Sequence, residues 1–191
     1  MTDREYLIQK FGADRGGKLA DQKDRLFEKL LGEASPKSKA QKKVFESMLL
    51  PRIALYKTLL ANDFTQEEAL DVMQEHMVIL GAGPLKKKYD AMDKMPFAYG
   101  LFKFGFTHMV PGSDLWEADL DTSKPDSFSV TMHRCFWNDT YREYGCPEVC
   151  RFACDCDDIT YGDLKHMSFH RTQTLGTGGE CCDFRFEKKK V

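Results

Sequence analysis

The sequence predicts an α+β fold, with N-terminal helices packed on a C-terminal antiparallel sheet. Two patterns support this prediction: apolar residues recur at helical spacing before Pro111, and polar and apolar residues alternate after it. The length of 191 residues indicates one main domain with an additional arm. We expect residues 1–34 to form either a loosely attached arm or a helix that packs on a partner. Residues 35–191 are expected to form a single domain with a helical half (35–110) and a sheet half rich in cysteine (111–191).

The first helix of the main domain is predicted to begin at Ser35, because a serine followed by a proline, here Pro36, is typical of a helix N-terminus. Apolar residues then occupy one helical face through residues 45–60. Pro51 lies inside this stretch and is expected to kink the helix near Leu50.

The next helix carries the clearest signals in the chain. Thr65 and Glu68 form a capping box, in which each side chain binds an exposed backbone N–H of the other residue. The buried stripe is predicted to consist of Leu70, Met73, Met77 and Leu80. The glycines and proline within residues 81–84 are expected to end the helix, and a further short helix is expected over residues 85–95. The aromatic-rich segment 95–111 favours neither helix nor strand.

Alternation predicts a strand over Ser127–Trp137. Its two faces would carry Phe128, Val130 and Met132 on one side, and Ser129, Thr131, His133 and Cys135 on the other. Two later strands, Met167–Leu175 and Cys181–Glu187, are predicted to form a hairpin through a glycine-rich loop. A short helix is expected over residues 147–157, beginning at Pro147.

Composition excludes several classes of protein. Lys and Arg number 28 against 30 Asp and Glu, so the net charge of −2 disfavours a nucleic-acid-binding protein. No apolar run reaches the roughly 20 residues of a membrane span. The charged N-terminus lacks the apolar core of a secretory signal, so we expect a cytoplasmic location. All seven cysteines follow residue 134, and their odd number in a reducing compartment leaves thiol chemistry, metal binding and simple burial open.

Several of these cysteines are predicted to meet at one site. Cys150, Cys154 and Asp157 follow at steps of four and three, so they share a helix face. Cys135 lies near the end of one strand and Cys182 begins another. We therefore expect Cys135, Cys154, Asp157 and Cys182 to surround one pocket, with the plain burial of these thiols as the alternative.

Arg171 is the candidate for binding an anionic group. It precedes Thr172 on a predicted strand, and an arginine that points from a strand into a pocket can hold a carboxylate through two hydrogen bonds. The alternative is an exposed or ion-paired arginine. Asp183 and Arg185 alternate on the neighbouring strand and could pair across the hairpin.

The sequence predicts no cofactor, although a zinc site remains an open alternative. None of the cysteines stands in a Cys-x-x-Cys pair, and His166 and His170 lack the glutamate of the zinc-protease helix. A site of three thiolates with an aspartate or a histidine would still be compatible with the spacing. The acidic balance of residues 114–163 disfavours a thiolate, which keeps a metal-bound water open as the nucleophile.

Four ordered segments of the C-terminal half resemble the L-2-amino-thiazoline-4-carboxylic acid hydrolase family. They are Cys135 through Gly145-Cys146-Pro147-Glu148, residues 152–158 (FACDCDD), residues 169–175 (FHRTQTL) and residues 179–186 (GECCDFRF). The upstream stretch LLPRIALYKTLLANDFTQEEAL is similar to the helical half of that family. The terminal Gly…Cys-x-Phe pattern, within residues 179–186, is also similar to that of 4-vinyl-reductase-type ligand-binding domains, which combine helices with an antiparallel sheet.

The resemblance implies a hydrolase that opens a cyclic amidine by attack at a C–N bond and gives a carbamoyl-cysteine. Cys135 or Cys154 would supply the thiolate, with Cys182 beside them, and Asp157 would hold the amidine and move a proton. Arg171 would bind the substrate carboxylate together with Thr172 and Asp183. The partner would be a small-molecule substrate.

Two other interpretations of the sequence are open. The same pocket could belong to a ligand-binding or sensor module without turnover, with or without a structural zinc. The chain could also form a homo-oligomer, since the N-terminal arm and the aromatic segment 97–106 could bury an interface.

Overall fold

Helices form the first 110 residues of this computed structural model, which describes residues 1–190. They are α1 (Asp3–Phe11), α2 (Ala13–Glu33), α3 (Lys39–Val44), α4 (Leu50–Leu60), α5 (Gln66–His76), α6 (Gly83–Met92) and α7 (Ala98–Met109). Two π-helical turns, Phe45–Leu49 and Met77–Ala82, connect α3 to α4 and α5 to α6. No helix among these residues is long and apolar enough to cross a membrane.

The rest of the chain forms an antiparallel sheet with two more helices. Its elements are β1 (Trp116–Asp121), β2 (Ser127–Cys135), α8 (Phe136–Glu143), α9 (Cys150–Tyr161), β3 (Met167–His170) and β4 (Cys182–Lys188). The strand order is β1-β2-β4-β3, so the two central strands are β2 and β4. The α+β fold predicted from the sequence is confirmed.

Two apolar cores hold these parts together. The first surrounds α4, where Leu50, Ile53 and Leu55 are fully buried. The second lies between α7 and one face of the sheet, where the ring centroids of Phe102 and Phe186 are 4.8 Å apart. The space between the helical half and the sheet is where the candidate site lies.

The N-terminal helices are not a loosely attached arm. Tyr6, Leu7 and Leu19 are buried in the first core, and the Tyr6 hydroxyl donates a hydrogen bond to the Val72 carbonyl at 3.2 Å. Gly16 permits this packing, because a Cβ at this position would lie 2.3 Å from the Leu7 carbonyl oxygen. The polar composition of the segment reflects its outer faces, whereas a few apolar residues determine its position.

The predicted start at Ser35 is wrong. The helix begins at Lys39, and the Ser38 side chain accepts a hydrogen bond from the Gln41 backbone N–H at 3.1 Å. The expected irregularity near Pro51 is present as the π turn, since a proline ring clashes with the carbonyl four residues earlier and the wider turn relieves the clash.

The capping box of Thr65 and Glu68 is confirmed at the start of α5. The chain does not leave the helix at Gly81, as the sequence predicts, but continues through the second π turn into α6. Pro84 lies in the first turn of α6, a position that requires no backbone N–H. In the predicted stripe Met73 and Met77 are buried, while Leu70 and Leu80 are only half-buried.

Strand boundaries differ more from expectation than helices do. The undecided aromatic segment is the helix α7, and β1 and α8 were not predicted. The strand predicted over Ser127–Trp137 ends at Cys135, and the one predicted over Met167–Leu175 ends at His170. The connection from residue 171 to residue 181 is therefore a long loop that packs on α9, and not a short glycine-rich turn.

Candidate active site

A cavity of about 160 Å³ lies between the helical half and the inner face of the sheet. Both π turns, α9, β2 and β4 contribute to its wall. The charged, thiol and phenol side chains of the lining are those of Arg52, Cys135, Cys150, Cys154, Cys156, Asp157, Tyr161 and Cys182. The structure thus brings the four predicted residues Cys135, Cys154, Asp157 and Cys182 to one cavity, which leaves their roles in catalysis as predictions.

Cys135 reaches the cavity because β2 contains a bulge. Glu117 on β1 pairs with Arg134 and Ala118 with Met132, so His133 is an extra residue without a partner. One extra residue reverses the alternation of side chains, which moves Cys135 to the face of Met132. Simple alternation predicts that Cys135 lies on the opposite face, because it takes no account of a bulge.

Helix α9 presents three site residues together. Cys150, Cys154 and Asp157 lie on one face at helical spacing, and all three line the cavity. Cys182, at the start of β4, pairs in register with Met132 of β2 and completes the opposite wall.

The loop before β4 closes tightly over the thiols of α9. A Cβ at Gly176 would lie 2.7 Å from Cys154 Sγ and 2.9 Å from Cys150 Sγ, so only a glycine fits there. Asp183 holds this loop, since its carboxylate accepts hydrogen bonds at 2.9 Å from the backbone N–H groups of Thr172 and Gln173.

Cys154 has a pKa below the usual thiol value. The hydrogen bond from Cys150 is the largest cause, and Thr174, the positive charge of Arg171 and the Gly176 backbone N–H act in the same direction against burial. Cys150 correspondingly keeps its proton, because its pKa is raised through the same contact and through burial. The geometry therefore favours a thiolate at Cys154.

Asp157 is shifted in the opposite direction. Burial raises the pKa of its carboxyl to about 8, and the neighbouring Cys154 adds to the shift, whereas Arg171 opposes it. This carboxyl is half-buried and bears a proton at neutral pH. It stands three residues after the thiolate, on the same cavity wall.

The remaining cavity thiols are poor nucleophiles. Burial raises the pKa of Cys135 to about 11 and that of Cys182 to about 12. Cys182 accepts a hydrogen bond from the Leu175 backbone N–H at 3.3 Å, which fixes the loop to β4. Burial also raises the pKa of Cys156 to about 11. Cys154 is thus the one lining thiol whose pKa falls.

Arg171 does not line the cavity, in contrast to its predicted role as the carboxylate-binding group. Its guanidinium forms an ion pair with Asp158, and its side chain is only 12% exposed. Thr172 and Asp183 likewise bind each other, through a hydrogen bond of 2.5 Å from the Thr172 hydroxyl. None of the three is among the lining residues, because the expected strand ends at His170 and the chain turns onto α9.

Arg52 on α4 is the cavity residue that the sequence analysis missed. It is 9% exposed and lines the cavity, and Gly81 leaves room for it, since a Cβ there would lie 3.0 Å from Arg52 Nη2. The signal was present in the sequence: steps of three and four from Leu49 to Arg52 to Tyr56 place this arginine on the apolar stripe.

Two tryptophans form an aromatic part of the wall. Trp116 of β1 and Trp137 of α8 stack with ring centroids 5.6 Å apart and an angle of 9° between their planes. Flat apolar surfaces of this kind suit a planar ring, which is the shape of many small heterocycles.

The described residues provide no group of three or more His, Cys, Asp or Glu side chains arranged to hold a metal ion. His166 and His170 lie apart from the cavity, where His166 contacts Asp93 at 3.1 Å and His170 contacts Glu187 at 3.7 Å. The zinc alternative thus finds no set of ligands in this part of the chain.

In the comparison with known proteins, a family model matches most of the chain. The family model of L-2-amino-thiazoline-4-carboxylic acid hydrolase matches residues 41–186. No curated protein matches the chain. Among solved structures, the chain aligns with the crystal structure of an Fe(II) unliganded H-NOX protein from K. algicida at 11% identity and a TM-score of 0.31. The alignment covers 98% of this chain and 93% of that chain. A TM-score this low carries no argument about fold or function.

Proposed function

Since the chain belongs to the L-2-amino-thiazoline-4-carboxylic acid hydrolase family, we propose that it hydrolyses a cyclic amidine of the 2-amino-thiazoline-4-carboxylate type. One observation carries the proposal: Cys154 and Asp157 face the same cavity, and their pKa values are shifted in opposite directions. A pair of groups shifted apart in this way can divide the roles of nucleophile and acid at neutral pH.

The first half of the reaction forms a covalent intermediate. The Cys154 thiolate attacks the protonated amidine carbon, and Asp157 donates its proton to the ring nitrogen as the C–N bond breaks. The ring opens to a free amine, and the former amidine carbon remains bound to Cys154. Asp157 is then a carboxylate.

The second half releases the product. Asp157 accepts a proton from a water molecule as the water attacks the same carbon, and the Cys154 thiolate then leaves. The last proton goes to the liberated amine, so that substrate and one water give a carbamoyl-cysteine. Cys150 supports both halves of the reaction, because its S–H group stabilises the Cys154 thiolate before the attack and again when the thiolate leaves.

Turnover of 2-amino-thiazoline-4-carboxylate, measured by mass spectrometry of the carbamoyl product, tests this proposal. Cys154→Ala is expected to abolish turnover, and Asp157→Asn to lower kcat about 10²–10⁴-fold, as is usual on loss of a general acid. Cys181→Ser and Asp163→Asn serve as matched controls, since neither residue lines the cavity.

Acid quenching during turnover is expected to trap the intermediate on the peptide that contains Cys154. Full activity of a folded Cys154→Ala variant would refute the thiolate mechanism. Binding of the substrate without any product would refute the hydrolase and leave the ligand-binding module.

A further inference from the structure

Arg52 is a largely buried charge that has no ion-pair partner among residues 1–190. Its guanidinium makes no ion pair among residues 1–190, and its nitrogens are open to the cavity rather than fully enclosed. An arginine stays protonated at every physiological pH, so the charge is permanent. Burial of a charge is costly unless a counter-ion compensates it. An anion that enters the cavity would compensate this charge, because Arg52 lines the cavity wall.

The groups around Arg52 do not supply that anion. Its positive charge lowers the pKa values of Cys156 and Tyr141, but burial raises them by more, so both side chains stay neutral. Tyr141 is fully buried, and its hydroxyl also lacks a hydrogen-bond partner. The cavity carboxyl, Asp157, is influenced by Arg171 and Asp158 rather than by Arg52.

The backbone is shaped to leave Arg52 accessible to the cavity. The two π turns contribute Met48, Met77 and Gly81 to the wall on either side of it. π turns are rare, and they occur frequently at functional sites. Gly81 lies against the guanidinium, and any larger residue there would displace it.

We propose that Arg52 binds the carboxylate of the ligand and makes the cavity selective for anionic small molecules. A guanidinium can hold a carboxylate through two parallel hydrogen bonds, which fixes the orientation of the ligand as well as its position. The identity of the ligand as a thiazoline rests on the proposed function, whereas the selection of a carboxylate does not. We propose Arg52 rather than Arg171 for this role, because Arg171 forms an ion pair with Asp158 and does not line the cavity.

Binding measurements with two rings test the proposal independently of turnover. Thiazolidine-4-carboxylate carries the carboxylate but no amidine, and thiazolidine carries neither. By calorimetry we expect wild-type protein to bind the carboxylate more tightly. Arg52→Met should weaken its binding about 10- to 150-fold, the usual effect of losing a hydrogen bond to a charged group. Binding of the uncharged ring should not change.

Two further variants provide controls. Arg52→Lys keeps the charge but loses the paired hydrogen bonds, so its affinity should fall between those of wild type and Arg52→Met. Arg151→Met removes an exposed arginine that lies over the Phe152 ring and should leave affinity unchanged. The thermal midpoint of ligand-free Arg52→Met should equal or exceed that of wild type, because the variant removes an uncompensated buried charge. If Arg52→Met does not fold, Arg52→Lys alone decides the question.

The outcomes separate this inference from the proposed function. Equal affinity of wild type and the Arg52 variants for the carboxylate would overturn the inference, even if thiazoline turnover is observed. Arginine-dependent binding of the carboxylate without any turnover would support the inference and overturn the hydrolase. In an active enzyme, Arg52→Met is expected to raise KM for the thiazoline carboxylate far more than it lowers kcat.

Discussion

Replacing Asp157 by asparagine should change how stability depends on pH. In the unfolded chain this carboxyl has its usual pKa of 3.8, and in the folded protein burial raises the pKa to about 8. Between these values the folded state holds one proton more than the unfolded state, so the free energy of unfolding falls as pH rises. One proton corresponds to about 1.4 kcal/mol per pH unit. From pH 5 to pH 7, the free energy of unfolding of wild type should therefore fall by about 2.7 kcal/mol relative to that of Asp157→Asn.

Urea denaturation at pH 5, 6 and 7, followed by circular dichroism, measures this difference. Cys154 titrates in both proteins, so the comparison isolates the carboxyl. Asp163→Asn is the matched control, because Asp163 is exposed and lies one residue beyond the end of α9 and its cap. The free energy of unfolding of this control should depend on pH in the same way as that of wild type. If the free energies of unfolding of wild type and Asp157→Asn depend on pH in the same way, the pKa of Asp157 is not raised. Its role as an acid would then be refuted.

Four further predictions concern the thiols and the core. The pH profile of kcat/KM should be bell-shaped. Ionisation of Cys154 should give a rising limb below the usual thiol pKa, and loss of the proton from Asp157 should give a falling limb near pH 8. A profile without the falling limb would contradict the role of Asp157 as the acid. Gly176→Ala should raise the pKa of Cys154, seen as slower alkylation at neutral pH, because the added Cβ would lie 2.7 Å from Cys154 Sγ. Iodoacetamide should modify Cys154 first and the fully buried Cys146 last, as read by peptide mass spectrometry. Phe186→Ala should lower the free energy of unfolding by about 3–5 kcal/mol in urea, and a smaller loss would mean that the aromatic core repacks.

Local signals predicted the start of α5 and the shared face of α9. The reciprocal contact of Thr65 and Glu68 depends only on residues three apart, so the sequence determines the start of α5. The shared face of Cys154 and Asp157 follows from helical spacing in the same way. The loose arm was a wrong prediction, because the burial of Leu7 depends on contacts with distant parts of the chain.

Strand ends and the site were harder to predict. The bulge at His133 reverses the orientation of Cys135, and nothing in the alternating pattern marks the extra residue. Arg171 was expected to bind a carboxylate of the ligand, yet it binds Asp158, since the strand that was to carry it ends early. Arg52 was overlooked because a charge within an apolar stripe disagrees with the pattern that identified the helix.

By itself the sequence determined the α+β fold, the capped start of α5 and the pairing of a thiol with a carboxyl on α9. These features depend on residues close together in the chain, where spacing and backbone geometry leave few alternatives. The tertiary structure alone decided which thiol has a lowered pKa and which arginine lines the cavity. Both depend on burial and on charges brought from distant segments: Gly176 and Arg171 act on Cys154, and two π turns leave Arg52 open to the cavity. Such long-range contacts set pKa values and ion pairs, and a one-dimensional pattern does not contain them.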